Sequence, residues 1–329
     1  MKLTYRPEID DLYKKKIILH IGLSKTSSTF LQNHLDNINK INYKIFTSRN
    51  SSIFIKTFLK YLDNPDDKVK EYILSNINEA KNKTIIISSE DILGHQSNGF
   101  YFSSNRFKLL EELFKQPKYL IFFREPSKII YSGFFQGKRK KFNLKFEEYI
   151  NKDIDELKKI KLKNFQHTNY RVYDYNTILK EYLNIQDRVL FVEYENFFKE
   201  KKESKLNNFI GLNIKLNWNL RVNESHTNLK YFNFYDKFLF FKFLKIFCIM
   251  INKLYVKFLC KIYGQDKSSN FLSIITDLIN ILIKITPKKY IKEIDDNHKR
   301  LLEEIKSYHL DDYREFKKKL NPTLHILSN

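Results

Sequence analysis

A lysine followed by four hydroxyl residues, Lys25-Thr26-Ser27-Ser28-Thr29, has the residue types best suited to chemistry in this sequence. The segment follows the apolar run that ends at Ile21 and precedes apolar residues at helical spacing, which predicts a strand, a loop and a helix. Unpaired N–H groups and the helix dipole favour anions at a helix N-terminus. The pattern therefore indicates a phosphate or sulfate cradle, and a polar turn with an N-cap cluster is the alternative.

The elements that must position this loop are continuous apolar strands. Four such runs end in polar residues and are separated by helical patterns: Lys16–Ile21, Thr84–Ser89, Tyr119–Phe123 and Arg188–Glu193. A helix is predicted from Phe30 to Ile38, directly after the loop. This order predicts an α/β fold, with a parallel sheet flanked by helices and a ligand site at the carboxyl ends of the strands.

The C-terminal third has a different, helical pattern. Long helices are predicted over 231–263 and from Phe271 to Ile285, and a third over Asp295–Tyr308. We therefore predict an α/β domain over 1–230 and a helical extension packed on it over 231–329. One face of the segment 238–260 is apolar and the other carries lysines, which fits packing against a second helix and also peripheral contact with a membrane surface.

Composition bounds the function classes. Of 329 residues, 42% are hydrophobic and 16% aromatic, which predicts a globular chain. The formal charge of +21 comes mainly from dispersed lysines, no nucleic-acid motif is present, and the histidines lack metal-ligand spacing. With Cys248 and Cys260 alone, no disulfide framework or cysteine-based zinc site is expected. The sequence shows no signal peptide or spanning segment, so we expect a cytoplasmic protein, with the inner membrane face as a further possibility.

The loop does not match the nucleotide triphosphatase motif, because Leu19 and Ser24 stand where that motif has glycines. The segment from His20 to Gln32 instead resembles the sulfate-donor loop of the sulfotransferase family, commonly written G-x-P-K-[ST]-G-[ST]-[ST], with Ser24 at the proline and Ser27 at the second glycine. The resemblance implies the P-loop-like sulfotransferase fold and a grip on the 5′-phosphosulfate of 3′-phosphoadenosine 5′-phosphosulfate (PAPS). The residues it assigns to donor binding are Gly22, Ser24, Lys25, Thr26, Ser27, Ser28 and Thr29.

A second element supports the same resemblance. Arg124 follows the third predicted strand, with Pro126 two residues later and Ser132 eight residues later, as in the family's 3′-phosphate motif. An arginine fork and a hydroxyl are suitable ligands for a terminal phosphate. The segment from Tyr173 to Phe198 resembles the closing strand region of bacterial members, so the resemblance spans approximately residues 16–225.

The implied activity is transfer of a sulfuryl group from PAPS to a hydroxyl or amine of an acceptor, without a metal. Lys25 would stabilise the leaving phosphate. Glu90, at the end of a strand, is the first candidate for the base and His95 the second, although Glu90 also fits the first turn of a helix as a neighbour of an N-cap. The acceptor is not identified, and a glycan, a lipid-linked sugar and a small hydroxylated metabolite are all compatible.

Two other classes remain open. A nucleotide kinase or triphosphatase would use Glu90 and Asp91 to hold Mg²⁺, and its activity would depend on metal. A basic protein that binds a membrane surface or nucleic acid would show strongly salt-dependent binding.

Overall fold

The computed structural model describes residues 15–26, 28–37, 43–80, 84–95, 99–139, 144–159, 167–201, 203–218, 296–321 and 325. The chain divides into two units, Met1–Val222 with Asn297–Asn329, and Asn223–Asp296. Three predictions fall outside the described residues and stay predictions. They are the helices over 231–263 and 271–285, the amphipathic segment 238–260, and the domain boundary after residue 230.

Five parallel strands form one sheet. They are β1 (Lys16–His20), β2 (Tyr43–Thr47), β3 (Thr84–Ser88), β4 (Lys118–Phe123) and β5 (Val189–Glu193), and they lie in the order β2-β3-β1-β4-β5. The four predicted strands are confirmed as β1, β3, β4 and β5. The sequence analysis missed β2, an edge strand whose Lys44 is exposed and interrupts the apolar run.

Helices cover both faces of this sheet, which confirms the predicted α/β class. The helices are α1 (Ser28–Asp36), α2 (Ser52–Asp63), α3 (Asp67–Glu79), α4 (Ser103–Phe114), α5 (Pro126–Arg139), α6 (Phe146–Ile150), α7 (Ile154–Lys159), α8 (Tyr175–Ile178), α9 (Lys180–Leu183), α10 (Tyr194–Glu200), α11 (Glu203–Ile210) and α12 (Asp296–Lys319). Local signals set several of these bounds: the Asp66 carboxylate, for example, caps α3 by accepting from the Val69 N–H at 3.0 Å.

Alternate strand residues enter two separate cores. Leu19 and Ile121 belong to the first face, which α2 to α5 and α12 cover. Ile18 and Leu120 belong to the second face, which α1, α10 and α11 cover. Because both faces are buried, each strand is apolar throughout, and this explains why the strands are visible in the sequence.

The last helix packs on the first face. α12 extends to Lys319, whereas the sequence pattern predicted an end at Tyr308. Phe316 is fully buried, and its ring centroid lies 5.2 Å from that of Phe123 and 5.6 Å from that of Phe191. Two acidic residues in the middle of the helix, Asp311 and Asp312, obscured the apolar face that continues beyond them. Among the described helices, none combines the length and apolarity needed to cross a membrane.

Candidate functional site

The carboxyl edge of the sheet brings the predicted site residues together. β1 pairs in parallel with β3 on one side and β4 on the other. The pairing continues past the strand ends, where Ser89 N–H donates to the His20 carbonyl and Leu23 N–H to the Phe122 carbonyl, both at 3.1 Å. The loops that carry Lys25, Glu90 and Arg124 therefore all start at the same edge.

The β1–α1 loop has an unusual backbone at its lysine. Lys25 adopts the left-handed region, with φ 67°. This conformation costs a residue with a Cβ about 1–2 kcal/mol, and such strain is concentrated at functional sites. Ser27, which stands at the second glycine of the family's loop, lies outside the described residues. Ser24, Lys25 and Thr29 are half-buried.

Two hydroxyls of the loop have different surroundings. The Thr26 hydroxyl donates to the Leu23 carbonyl and is fully buried, so it closes the loop from inside. The Ser28 hydroxyl, at the first residue of α1, is also buried but has no hydrogen-bond partner among the described residues. A buried polar atom without a partner costs free energy, so a hydrogen bond from the Ser28 hydroxyl to a ligand oxygen would be favourable.

A buried histidine lies beneath the loop. A Cβ on Gly22 would approach the His20 Nε2 to 2.8 Å, so only glycine allows this contact. The His20 Nδ1 shares a 2.7 Å hydrogen bond with the Ser88 hydroxyl, and Gln32 Nε2 donates to the Ser88 carbonyl at 3.2 Å. Burial lowers the pKa of His20 to about 3, so the ring is neutral at physiological pH.

An acidic turn follows β3. Glu90 and Asp91 are half-buried, and the His95 Nε2 lies 3.8 Å from Asp91 Oδ1, with His95 itself buried. Burial raises the pKa of Asp91 to about 6, and the charge of Glu90 adds to this effect, while Arg106 and Lys25 oppose it. Because the charge of Lys25 acts on the pKa of Asp91, the loop and the turn share one electrostatic environment.

Arg106 fixes the shape of this turn. Its buried guanidinium on α4 donates to the carbonyls of Asp91 and Ile92 and forms an ion pair with Asp63. The sequence analysis assigned no role to Arg106 and considered Asp91 only as a metal ligand. A single arginine within a helix carries no local signal of such a role, whereas the adjacent acids at a strand end were a signal for Asp91.

Arg124 is held in a defined orientation. Its Nε donates to Glu195 Oε1 at 2.8 Å, and its guanidinium carbon lies 4.4 Å from the centroid of the Tyr194 ring. The Tyr175 hydroxyl donates to the Arg124 carbonyl. Stacking and pairing together restrict the arginine fork, which suits recognition of a phosphate. Glu195 and Tyr194 were not predicted, because they follow β5, 70 residues farther along the chain.

Lys128 adds a second cation here, with its Nζ 3.3 Å from Glu195 Oε1. Ser132 lies farther along α5 and is half-buried. The edge thus combines the lysine and hydroxyl loop before α1, acids after β3 and an oriented arginine after β4. Within the described part of the chain, no group of three or more His, Cys, Asp and Glu side chains is arranged to hold a metal ion.

No protein-family model matches this chain, and no curated protein matches it by sequence. Among solved structures it is similar to a sulfotransferase from Alicyclobacillus acidocaldarius, with 15% identity and a TM-score of 0.43 over 70% of this chain and 92% of that one. It is also similar to a mouse sulfotransferase complexed with PAP, with 15% identity and a TM-score of 0.33 over 69% of this chain and 68% of the mouse chain.

Proposed function

We propose that this protein is a PAPS-dependent sulfotransferase, which transfers a sulfuryl group to a hydroxyl or amine of an acceptor. The observation that carries the proposal is the β1–α1 loop. Its lysine is held in a strained backbone conformation, and the buried Ser28 hydroxyl at the helix N-terminus has no partner among the described residues. These are features of an anion site whose ligand completes the hydrogen bonding.

The residues at the sheet edge fit the two ends of the donor. The loop after β1 would hold the phosphosulfate, and Arg124 with Ser132 would hold the 3′-phosphate. The Arg124 Nε is engaged by Glu195 and one face of its planar guanidinium by Tyr194, and the two terminal nitrogens remain for a bidentate contact. The cations required for charge stabilisation therefore come from the chain itself.

In the proposed reaction the bond between sulfur and the nucleotide phosphate oxygen breaks as the acceptor oxygen bonds to sulfur. Lys25 would stabilise the negative charge that develops on the leaving phosphate. Glu90 would accept the acceptor proton, so the products are adenosine 3′,5′-bisphosphate and the sulfated acceptor. Asp91 and His95, paired beside Glu90, would position it or share the proton.

The acceptor and location are also proposals. We propose a carbohydrate or lipid-linked hydroxyl as the acceptor and a cytoplasmic location, with peripheral membrane contact through 238–260. Co-sedimentation of the full chain with anionic liposomes at low salt tests that contact. Protein that stays in the supernatant would refute it.

Binding of adenosine 3′,5′-bisphosphate tests the donor site directly. We expect calorimetric titration in the presence of a chelator to show binding by the full chain. Lys25→Ala and Arg124→Ala should weaken this binding, whereas Lys56→Ala, at an exposed lysine on α2, should not. Absence of binding in chelator, together with binding of ATP only when Mg²⁺ is added, would support the kinase alternative instead.

Turnover separates the roles of these residues once an acceptor is found. Lys25→Ala should lower kcat by about 10²-fold or more, the scale of losing one preorganised charge donor. Arg124→Ala should mainly raise the KM for PAPS.

Glu90→Gln should lower the rate by about 10²–10⁴-fold with little change in bisphosphate affinity, and His95→Ala should lower the rate by a smaller factor. Full activity in Glu90→Gln with none in His95→Ala would make the histidine the base.

A further inference from the structure

A cavity of about 670 Å³ lies between the start of α5 and the exposed side of α12. Its lining includes four cationic side chains from α12, Lys306, Arg314, Lys317 and Lys318, and one acidic side chain, Glu125. The cations recur along the helix at spacings that place them on one side. Cationic side chains therefore outnumber acidic ones in the lining of the cavity.

Two of the charged side chains that line the cavity already have close partners of opposite charge or hydrogen-bond partners. Lys317 is fixed, because its Nζ lies 2.9 and 3.1 Å from the two oxygens of the buried Glu193. Glu125 accepts from the Ser127 hydroxyl at 2.6 Å and lies 3.4 Å from Lys128, so its charge is largely compensated.

Two further cations that line the cavity form exposed ion pairs. Lys306 lies 3.4 Å from Glu303, and Arg314 lies 4.0 Å from Asp311, in pairs whose members are all exposed. Exposed pairs of this kind contribute at most about 1 kcal/mol, so an anionic ligand can replace them.

The size and walls of the cavity favour an organic ligand over a bare ion. Its volume lies in the range of about 300–1,000 Å³ typical of small-molecule sites. Pro126, Leu310 and the ring of Tyr313 provide apolar surface beside the cations. Lysine and arginine together suit phosphate and sulfate groups.

This cavity adjoins the arginine proposed to bind the donor, because Lys128 contacts both Glu125 in its lining and Glu195 beside Arg124, but Arg124 itself does not line it. Tyr313 packs against Phe123, with ring centroids 6.1 Å apart, and so belongs to the first face of the sheet. The Arg124 guanidinium stacks on Tyr194, whose ring contacts Phe198 on the second face.

We propose that the cavity between α5 and α12 binds a small organic phosphate or sulfate monoester as a second ligand, separate from any nucleotide. The monoester group would contact Arg314 and Lys318, and the carbon skeleton would lie on Leu310 and Tyr313. The proposal does not depend on the function proposed above, because it concerns binding at a different set of residues.

Calorimetric titration of the full chain with glucose 6-phosphate tests this site, with saturating adenosine 3′,5′-bisphosphate present. We expect binding in the millimolar range or tighter, and none for glucose. The double variant Arg314→Gln/Lys318→Gln should weaken binding by about tenfold, the effect of losing about 1.4 kcal/mol. The matched control Lys299→Gln/Arg300→Gln removes the same charge from exposed positions at the start of α12 and should change the affinity by less than about twofold.

Four results would overturn the proposal: no binding of glucose 6-phosphate, equal loss in both double variants, competition between glucose 6-phosphate and the bisphosphate, or equally tight binding of inorganic phosphate. Bisphosphate affinity in the Arg314→Gln/Lys318→Gln variant should equal that of the unmodified protein. A large loss there would assign these cations to the nucleotide. Thermal unfolding of each variant checks the fold, and Lys318→Gln alone, at an exposed position, provides the test if the double variant unfolds.

Discussion

At the scale of single residues, Lys25 combines a charge with a strained backbone. The left-handed conformation penalises every residue that has a Cβ, and glycine escapes the penalty. We therefore expect Lys25→Gly to have a free energy of unfolding about 1 kcal/mol higher than that of Lys25→Ala.

Both variants should lose bisphosphate binding to the same extent, because both lack the ammonium group. Urea denaturation gives the stability difference, and titration gives the binding. Equal stabilities in the two variants would show that the conformation of Lys25 is not strained.

Asp91 gives a prediction about pH. Its pKa is about 6 in the folded protein against 3.8 for an ordinary aspartate, so the folded state holds the proton more tightly than the unfolded state. This contribution to stability is complete below pH 3.8 and is lost as the pH rises through 6. Asp91→Asn remains neutral, so its stability relative to the unmodified protein should increase between pH 4 and 7.

Denaturant midpoints measured across this pH range give that difference. A difference that stays constant with pH would mean that the Asp91 carboxylate titrates normally.

At the scale of elements, α12 stabilises the sheet through one aromatic contact region. Phe316 is fully buried against Phe123, Phe191 and Tyr175. Phe316→Ala should lower the free energy of unfolding by about 3–5 kcal/mol, the usual cost of removing a buried aromatic ring. Tyr308 lies on the same helix but is 54% exposed, so Tyr308→Ala should cost much less. Similar losses in the two variants would contradict this account of how α12 packs.

The elements also explain which parts of the fold were predictable. β1, β3, β4 and β5 are buried on both faces, so their sequences are continuous apolar runs that local reading detects. β2 lies at the sheet edge, and the exposed Lys44 interrupts its short apolar run, which leaves only a weak signal. The end of α12 was missed because charged residues on its outer side outnumber the apolar ones that face the sheet.

At the scale of the whole molecule, the buried His20 beneath the loop makes the free energy of unfolding fall at acidic pH. The pKa of His20 is about 3 in the folded protein against 6.5 for an ordinary histidine, so the unfolded state takes up the proton first. The stability contributed by the neutral ring is present above pH 6.5 and is lost as the pH falls toward 3. His325, also buried, has a pKa lowered to about 4 and acts in the same direction.

We expect His20→Gln, which can still hydrogen-bond to Ser88, to lose stability less steeply than the unmodified protein between pH 6.5 and 4. Urea denaturation at several pH values measures both slopes. Parallel slopes would place the acid sensitivity in other groups.

The sequence by itself determined the α/β class and the placement of Lys25, Glu90 and Arg124 at strand ends, and it predicted an anion-binding role for the loop after β1. These features depend on residues that are neighbours along the chain, so hydrophobic pattern and residue type are sufficient to identify them. The resemblance to sulfotransferases came from the same short segments.

Only the tertiary structure decided the surroundings of those residues. Arg124 meets Glu195 across 71 positions of sequence, and Arg106 meets Asp63 across 43. The raised pKa of Asp91 and the cationic cavity beside α12 likewise depend on which strands are neighbours and which helices cover each face. Contacts of this kind arise from strand order and packing, and no local pattern encodes them, because the partners are brought together only when the sheet has formed.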